Sequence, residues 1–247
     1  LMADYAELTL IRGLNFLAEN QAAIANNLAN VDSLGYKRRT PHAVEADRTF
    51  HSLVGEMPSV DYRERSDHRP GDMRATGDAM HVAIDGDAFL MVQDAQGGRY
   101  YTRKGEMATN VQGQLITTSG ETILDPSLQP IVARTPEGHP ATGMLIRPNG
   151  RIEDSSGNEI GQIGLFEVAQ KSRLQPQGAA LFRDLQQEAP RPALGSTLRQ
   201  RHLERSNVNS LTEMVNMISV QRGFQGTARA LTAVGRLKTS FIHSFHG

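Results

Sequence analysis

Proline placement is the feature that most limits how this chain can fold. All eleven prolines lie between Pro41 and Pro192, so the first 40 and the last 55 residues contain none. Proline interrupts helices and favours turns, and only proline-free segments can form long continuous helices. The distribution therefore predicts a helix at each end of the chain and a non-helical middle.

The C-terminal segment, from Ser206 to about Phe245, predicts one long amphipathic helix. Its apolar seam advances by alternating steps of three and four residues, which is the pattern of a helix that packs on another helix. The seam consists of Met217, Val220, Phe224, Thr227, Leu231, Val234, Lys238, Phe241 and Phe245. A second apolar line consists of Val208, Leu211, Val215 and Ile218. A stripe this broad is more than a lone surface helix needs, so further neighbours are expected.

The start and the middle of this helix carry their own signals. Either Ser206 or Asn209 can serve as the N-cap, and Glu213 lies in the first turn, where the helix dipole favours an acid. Gly223 and Gly226 weaken the helix, so an irregularity is expected near residue 223.

The N-terminal segment predicts a second helix of the same kind. Its seam is Leu10, Leu14, Leu17, Gln21, Ile24, Leu28 and Val31. The helix is expected to end near residues 32–35, where Gly35 can adopt the left-handed conformation of a helix terminus. Asn26, Asn27 and Asn30 are poor choices for a helix interior. Either they belong to a fraying last turn, or their amides bond to neighbours across a packed interface.

The middle of the chain has the pattern of a β domain. From residue 80 to about 183, apolar residues alternate with a period of two, and turn signals recur at roughly ten-residue spacing. Two hairpins are expected, one joining 82–84 to 89–92 through residues 85–87 and one joining 144–146 to 151–152 through residues 149–150. The polar segment from residue 40 to about 79 predicts an extended connector with at most one short strand, and residues 186–205 predict a second connector.

These elements predict an α+β protein. Two helices some 170 residues apart cannot form a local hairpin, yet each presents an apolar seam, so the N- and C-terminal helices are expected to pair as a coiled-coil-like module. The β domain, barrel-like or a sandwich, is then an insertion between them. The expected divisions are 1–35 and 206–247 for the helical core, 36–79 and 185–205 for the connectors, and 80–184 for the β domain.

Composition excludes several classes of function. The net charge of −1 and a pI near 6.8 leave no electrostatic footprint for nucleic acid or an anionic membrane surface. The absence of cysteine excludes disulfides, thiol catalysis and cysteine-ligated metals. No stretch approaches the roughly 20 apolar residues of a membrane span. Asp4 and Glu7 precede the first basic residue, so a cleaved secretory signal is not expected.

No motif for catalysis or for a cofactor is present in the sequence. It contains no phosphate-binding loop, dinucleotide fingerprint or nucleophile elbow. The acids at 85 and 87 fit a hairpin turn better than a calcium loop, and only His243 and His246 have helical spacing, on a terminal turn. The basic run 37–39 predicts a solvated face rather than an anion site. No catalytic, cofactor or metal residue is therefore expected. Side chains far apart in the sequence can still converge in the fold, so the sequence alone does not exclude an enzyme.

Motifs along nearly the whole chain resemble the bacterial flagellar rod and hook family. The N-terminal signature occupies residues 26–38 and the C-terminal signature residues 206–222, with core motifs at 83–89, 101–105, 113–115 and 161–168. The sequence departs from the family pattern at Ser33, where Thr is usual, and at Ala88, where Gly is usual. A third departure is the run 223–226, where a sequence like Ala-Tyr-Glu is common.

The resemblance implies a non-enzymatic subunit of the flagellar basal-body rod, in the periplasm. Such a subunit passes through the flagellar type III export apparatus and assembles through its terminal helices, with copies of itself and with other rod subunits, into the axial drive shaft that encloses the export channel. The length favours a rod over a hook subunit, and the short connector favours the proximal rod. The alternatives are a distal rod or hook-type subunit, or a periplasmic binding protein or enzyme with a helical appendage.

The residues expected at the assembly interface belong to the two ends of the chain. They are Leu10, Leu14, Leu17, Ile24, Asn26, Asn27, Leu28, Asn30, Gly35, Tyr36, Ser206, Asn207, Val208, Asn209, Leu211, Met214, Val215, Met217, Ile218, Gln221, Arg222, Phe224, Leu231, Val234 and Phe241. Phe50 and Val54 resemble the export-gate recognition pattern of the family. The terminal helices are expected to be loosely ordered in the free subunit and to fold on docking.

Overall fold

The computed structural model describes residues 2–45, 60–134, 143–178, 180–186 and 188–244, and it places the chain in the α+β class. Side chains are described for residues 5–42, 63–134, 143–178, 180–186 and 188–240. The chain divides into two compact units. Unit 1 comprises Leu1–Ala29, Arg39–Arg65 and Asn209–Gly247, and unit 2 comprises Asn30–Arg38 and Ser66–Val208.

Unit 1 is built on two long helices, α1 (Met2–Ala29) and α2 (Ser210–Ser244). Glu7 pairs with Lys238 at 3.4 Å, Gly13 lies against Thr227, and Leu17 lies against Gly223. Residue numbers rise along one helix as they fall along the other, so the two helices pack antiparallel. Strands β1 (Arg39–Glu45) and β2 (Val60–Ser66) form a two-stranded sheet.

Helix α2 begins with a side-chain cap and continues without interruption. The Thr212 N–H donates to Asn209 Oδ1 at 3.0 Å, so Asn209 is the N-cap. The irregularity expected near residue 223 is absent, since the helix runs through both Gly223 and Gly226. A Cβ added at Gly223 would lie 3.5 Å from a methyl group of Leu17, so this position faces α1.

Helix α1 ends at Ala29, several residues before the expected terminus. Residues 30–35 form turns instead, with the Ser33 N–H donating to the Asn30 carbonyl at 3.2 Å. Gly35 has a φ of +66°, so it is left-handed as predicted, but it ends this turn rather than the helix.

Unit 2 contains the other strands of the described chain. A nine-stranded sheet has the main order β14-β15-β6-β5-β9-β8-β7; its two further strands are β13, which pairs with β5, and β16, which pairs with β13. Smaller sheets have the orders β10-β11-β12, β17-β4 and β18-β3. The strands are β3 (Met73–Ala75), β4 (Val82–Asp85), β5 (Phe89–Gln93), β6 (Arg99–Thr102), β7 (Met107–Thr109), β8 (Leu115–Thr117), β9 (Thr122–Ile123), β10 (Leu145–Ile146), β11 (Arg151–Glu153), β12 (Glu159–Gln162), β13 (Leu165–Glu167), β14 (Leu174–Pro176), β15 (Leu181–Asp184), β16 (Arg191–Pro192), β17 (Thr197–Gln200) and β18 (His202–Glu204).

The expected barrel is not formed, because the strands of the described residues divide among several open sheets and none closes on itself. The first predicted hairpin is also wrong. Strand β4 pairs with β17, whereas β5 pairs with β6, β9 and β13. The second hairpin is confirmed, because β10 and β11 pair antiparallel with Ile146 opposite Ile152 and Gly150 has a φ of +85°.

The described parts of the two segments expected to be connectors contain six strands. Strands β1, β2 and β3 lie within residues 36–79, and β16, β17 and β18 lie within residues 185–205. Strand β17 supplies the backbone partner of β4, and β18 that of β3. Leu198 in β17 and Leu203 in β18 are the buried apolar residues of these two strands. Their polar neighbours hide the alternating pattern from sequence reasoning.

Strand β5 separates two apolar clusters, because successive side chains of a strand point to opposite faces. Leu90 and Val92 belong to the larger cluster, with residues such as Ile123, Ile152 and Leu198. The second cluster consists of Phe89, Met91, Tyr101, Leu124, Phe166, Val168, Leu174 and Phe182. Among the described residues, neither helix has a stretch that is long and apolar enough to span a membrane.

Candidate functional site

Three charged side chains meet in the interior of unit 2. Lys37, Arg103 and Glu204 are each about 1% exposed. Lys37 Nζ donates to Glu204 Oε1 at 2.5 Å, and Arg103 Nε donates to Glu204 Oε2 at 2.6 Å. The Gly71 N–H also donates to Glu204 Oε1, at 3.0 Å. A single buried carboxylate thus pairs with two buried basic side chains, and its removal would leave both of them without a counter-ion.

The Arg103 guanidinium is satisfied by main-chain carbonyls as well as by Glu204. Nη1 donates to the carbonyls of Gly86 and Ala88 at 2.9 and 2.6 Å, and Nη2 donates to that of Ile84 at 3.0 Å. These carbonyls belong to residues 84–88, at the end of β4 and in the segment that leads to β5. The guanidinium therefore holds the backbone where the two strands part into different sheets.

The segment that follows α1 and the segment that precedes α2 bond to each other in unit 2. The Gly35 N–H donates to the Glu204 carbonyl at 2.9 Å, and the Asn207 N–H donates to that of Tyr36 at 3.4 Å. The Arg38 N–H donates to Asn207 Oδ1 at 2.7 Å. A Cβ at Gly35 would lie 2.7 Å from the Arg103 main chain, so only glycine fits there. We call Gly35, Tyr36, Lys37, Arg103, Glu204 and Asn207 the junction cluster.

Electrostatics in this region disfavour additional positive charge. Burial lowers the pKa of Lys37, although Glu204 partly opposes this. His68 is also buried, and neither ring nitrogen has a hydrogen-bond partner among the described residues. Its ring packs edge-on against Phe89 and Phe182, with centroids at 5.7 and 5.0 Å. Burial, followed by the charge of Lys37, lowers the pKa of His68 to about 4, so the ring is neutral at pH 7.

Unit 1 has its own buried polar contact, centred on Asn27. Asn27 Oδ1 accepts the Arg39 N–H at 2.8 Å, while Nδ2 donates to the Arg39 carbonyl at 2.8 Å and to Glu213 Oε2 at 3.3 Å. Asn27 and Glu213 are fully buried. One amide therefore joins α1, β1 and α2, so bonding to neighbours, rather than fraying, is the role of Asn27. We call Asn27, Arg39 and Glu213 the asparagine clamp.

Four large apolar side chains project from the first turns of α2 into solvent. Their exposed fractions lie between 52% and 73%. The residues are Leu211, Met214, Val215 and Ile218, which we call the free face of α2. By contrast, Val220 is buried, and Met217, Leu231 and Val234 of the predicted seam are half-buried. The seam and the free face lie on different sides of the helix.

The remaining predicted interface residues fall into three groups. The buried ones are Ile24, Tyr36 and Val208 together with Asn27 and Gly35. The half-buried ones are Leu10, Leu14, Leu17, Asn26, Leu28, Asn30, Ser206 and Asn207, and the exposed ones are Asn209, Gln221, Arg222 and Phe224. The side chain of Phe241, both possible export-gate residues, Phe50 and Val54, and the side chains of His243 and His246 lie outside the described residues.

Sequence reasoning missed the charged part of the junction cluster. Lys37 was expected on a solvated face, but it is buried against Glu204. Glu204 and Lys37 are 167 residues apart, so no local pattern connects them. The one available signal is Gly35, whose required backbone conformation marks a close approach of another segment.

Three family profiles match the chain. The profile described as "Flagella basal body rod protein" matches residues 8–37, which include most of α1 and the start of the junction cluster. The profile described as "Flagellar hook protein FlgE/F/G D1 domain" matches residues 83–164 in unit 2. The profile described as "Flagellar basal body rod FlgEFG protein C-terminal" matches residues 199–238.

Similar proteins align along most of the chain. The flagellar basal-body rod protein FlgF of Caulobacter vibrioides is 30% identical over 223 residues, which is 89% of either chain. The rod protein FlgG of Buchnera aphidicola subsp. Baizongia pistaciae is 29% identical over 259 residues, covering 91% of this chain and 94% of that one. The FlgG protein of Bacillus subtilis is 27% identical over 258 residues, covering 94% and 96%.

Proposed function

Because the chain belongs to the flagellar basal-body rod protein family and is a structural subunit of the rod, we propose that it forms the proximal part of that rod. The observation that carries the structural role is the match to rod proteins over 89% and 91% of the chain, together with family profiles that match residues 8–37 and 199–238 in the regions of the two terminal helices. The length of 247 residues and the short segment between α1 and β3 support the proximal position over the distal rod and the hook. The proposed role needs no catalytic centre.

The helices supply the proposed means of assembly. In the assembled rod, α1 and α2 form a coiled-coil-like core with residues 1–35 and 206–247, and residues 80–184 form the inserted β domain. Residues 36–79 and 185–205 join the two parts and carry strands of their own. The free face of α2 then packs on helices of neighbouring subunits. Contacts between different faces of identical subunits do not close on themselves, so repeated contacts generate a helical filament.

Family membership implies association with other rod and hook subunits. We place the contact on the free face of α2 and on the exposed seam residues, with the asparagine clamp and the junction cluster holding these segments in shape. Before assembly the subunit passes through the flagellar type III export apparatus, with Phe50 and Val54 as the proposed gate contact. The assembled rod spans the periplasm, transmits torque and encloses the export channel.

Imaging of purified basal bodies with this subunit tagged tests the proposal. A label at the inner end of the rod, in few copies per basal body, is the expected result. A label along the outer rod or in the hook would reject the proximal position. If basal bodies need the tagged subunit in order to assemble but do not contain it, the structural role itself is rejected.

A further inference from the structure

One open groove in unit 2 is not used by the proposed function. It has a volume of about 590 Å³. Met91, Tyr101 and Leu128 line it and are buried or half-buried, and we call these three residues its floor; four charged residues line it as well. These are Arg99, Arg183, Asp184 and Glu188. A groove that combines apolar contact with a few polar groups is the usual form of a binding site for a small chemical group.

The floor of the groove holds a polar group without a partner. Tyr101 is only 6% exposed, and its ring packs edge-on against Phe89 at 6.1 Å. Its hydroxyl has no hydrogen-bond partner among the described residues. Burial, together with the charges of Asp184 and Glu188, raises the pKa of Tyr101 to about 12, so the hydroxyl stays protonated at pH 7. The Tyr101 ring is buried but its hydroxyl is open to the groove, where it can exchange a hydrogen bond with water for one with a ligand.

Charged residues of both signs line the groove. Burial first, and then the charges of Asp184 and Glu188, raise the pKa of Tyr101, so a cationic group is favoured beside its hydroxyl. Glu188 already pairs with Arg173 at 2.5 Å, whereas Asp184 has no ion-pair partner in the described part of the chain. Arg99 and Arg183 are exposed and are likewise free of ion pairs among the described residues. A ligand should therefore be cationic where it reaches the floor and acidic where it passes the arginines.

We propose that this groove binds an arginine side chain of a partner protein, with acidic residues on either side of that arginine. The guanidinium forms a bidentate contact with Asp184 and donates to the Tyr101 hydroxyl oxygen, while its methylene groups pack on Met91 and Leu128. The flanking acids pair with Arg99 and Arg183. A groove of this volume holds more than one side chain, which favours a peptide segment over a free cation.

Fluorescence anisotropy with the full chain and a labelled Gly-Glu-Arg-Glu-Gly peptide tests the proposal. The peptide should bind, and its Gly-Glu-Gln-Glu-Gly counterpart should bind at least about tenfold more weakly. Tyr101→Phe and Asp184→Asn should each weaken binding of the arginine peptide by a similar factor. Tyr100→Phe is the matched control on the same strand, because the Tyr100 hydroxyl already donates to Asp94 Oδ2 at 3.1 Å, and it should leave binding unchanged.

Three results would overturn the proposal. The first is equal binding of the arginine and glutamine peptides. The second is unchanged binding in both groove variants while circular dichroism shows the native spectrum. The third is displacement of the peptide by equimolar spermidine, which would assign the groove to free cations. Loss of proximal-rod labelling would not bear on this groove, so failure of the proposed function is distinguishable from failure of this inference.

Discussion

The junction cluster of unit 2 and the free face of α2 in unit 1 differ in whether their side chains find partners within the subunit. In the junction cluster, two buried cations, one buried carboxylate and several main-chain groups all find partners within the subunit. On the free face, large apolar side chains remain more than half exposed. The charged groups of the junction cluster are therefore paired inside unit 2, whereas the free face of α2 is apolar surface that the described part of the chain leaves uncovered.

The largest expected effect is on the junction cluster. Glu204→Gln should lower the free energy of unfolding of unit 2 by about 3–5 kcal/mol, because Lys37 and Arg103 would stay buried without their counter-ion. Urea unfolding measures the change. The exposed Glu167→Gln is the control and should stay within about 0.5 kcal/mol of the unaltered chain. A loss below about 1 kcal/mol in the Glu204 variant would mean that Lys37 and Arg103 do not depend on Glu204 as their counter-ion.

The next effect is a loss of stability in acid. The folded pKa of His68, about 4, lies below its ordinary value of 6.5, so between these pH values the unfolded chain binds a proton that the folded chain does not. Above pH 6.5 this difference in proton binding does not affect the free energy of unfolding. As the pH drops from 6.5 to 4, it lowers the free energy of unfolding by about 3 kcal/mol. Urea titrations at several pH values measure it. His68→Leu should flatten this part of the profile, and an unchanged slope would show that other groups cause it.

A smaller effect is expected at the asparagine clamp. Asn27→Ala removes the side-chain bonds to Arg39 and Glu213, so unit 1 should lose about 1–3 kcal/mol while unit 2 is unaffected. Hydrogen exchange at the Arg39 amide reports the loss. The exposed Asn15→Ala serves as the control in the same helix. Equal protection of Arg39 in both variants would show that the clamp does not stabilise unit 1.

The smallest effect on stability is expected on the free face. Leu211→Ser combined with Ile218→Ser should change the unfolding free energy of the free chain by about 0.5 kcal/mol or less, since both side chains are already exposed. The same variant should fail to enter basal bodies, which quantitative immunoblotting of purified basal bodies measures. Normal incorporation would show that the free face is not an assembly surface.

The same contrast explains how much of the molecule could be predicted from its sequence. The two helices follow from local periodicity, and the choice of N-cap was narrowed to Ser206 or Asn209 by capping chemistry, because both kinds of signal lie within one segment. The structure selects Asn209. The β4–β5 hairpin was wrong because β4 pairs instead with β17, a strand far later in the chain that no local turn signal reveals. The Lys37–Glu204 pair depends on residues far apart in the chain, which periodicity cannot connect.

Hydrogen exchange of the full chain, free and within purified basal bodies, tests the central claim most directly. In the free chain, amides of β5 and β6 should be strongly protected while those of α1 and α2 exchange at least about a hundredfold faster, since assembly supplies the missing contacts. Within basal bodies, both helices should become protected. Full protection of α1 and α2 in the free chain, equal to that of β5 and β6, would contradict the account.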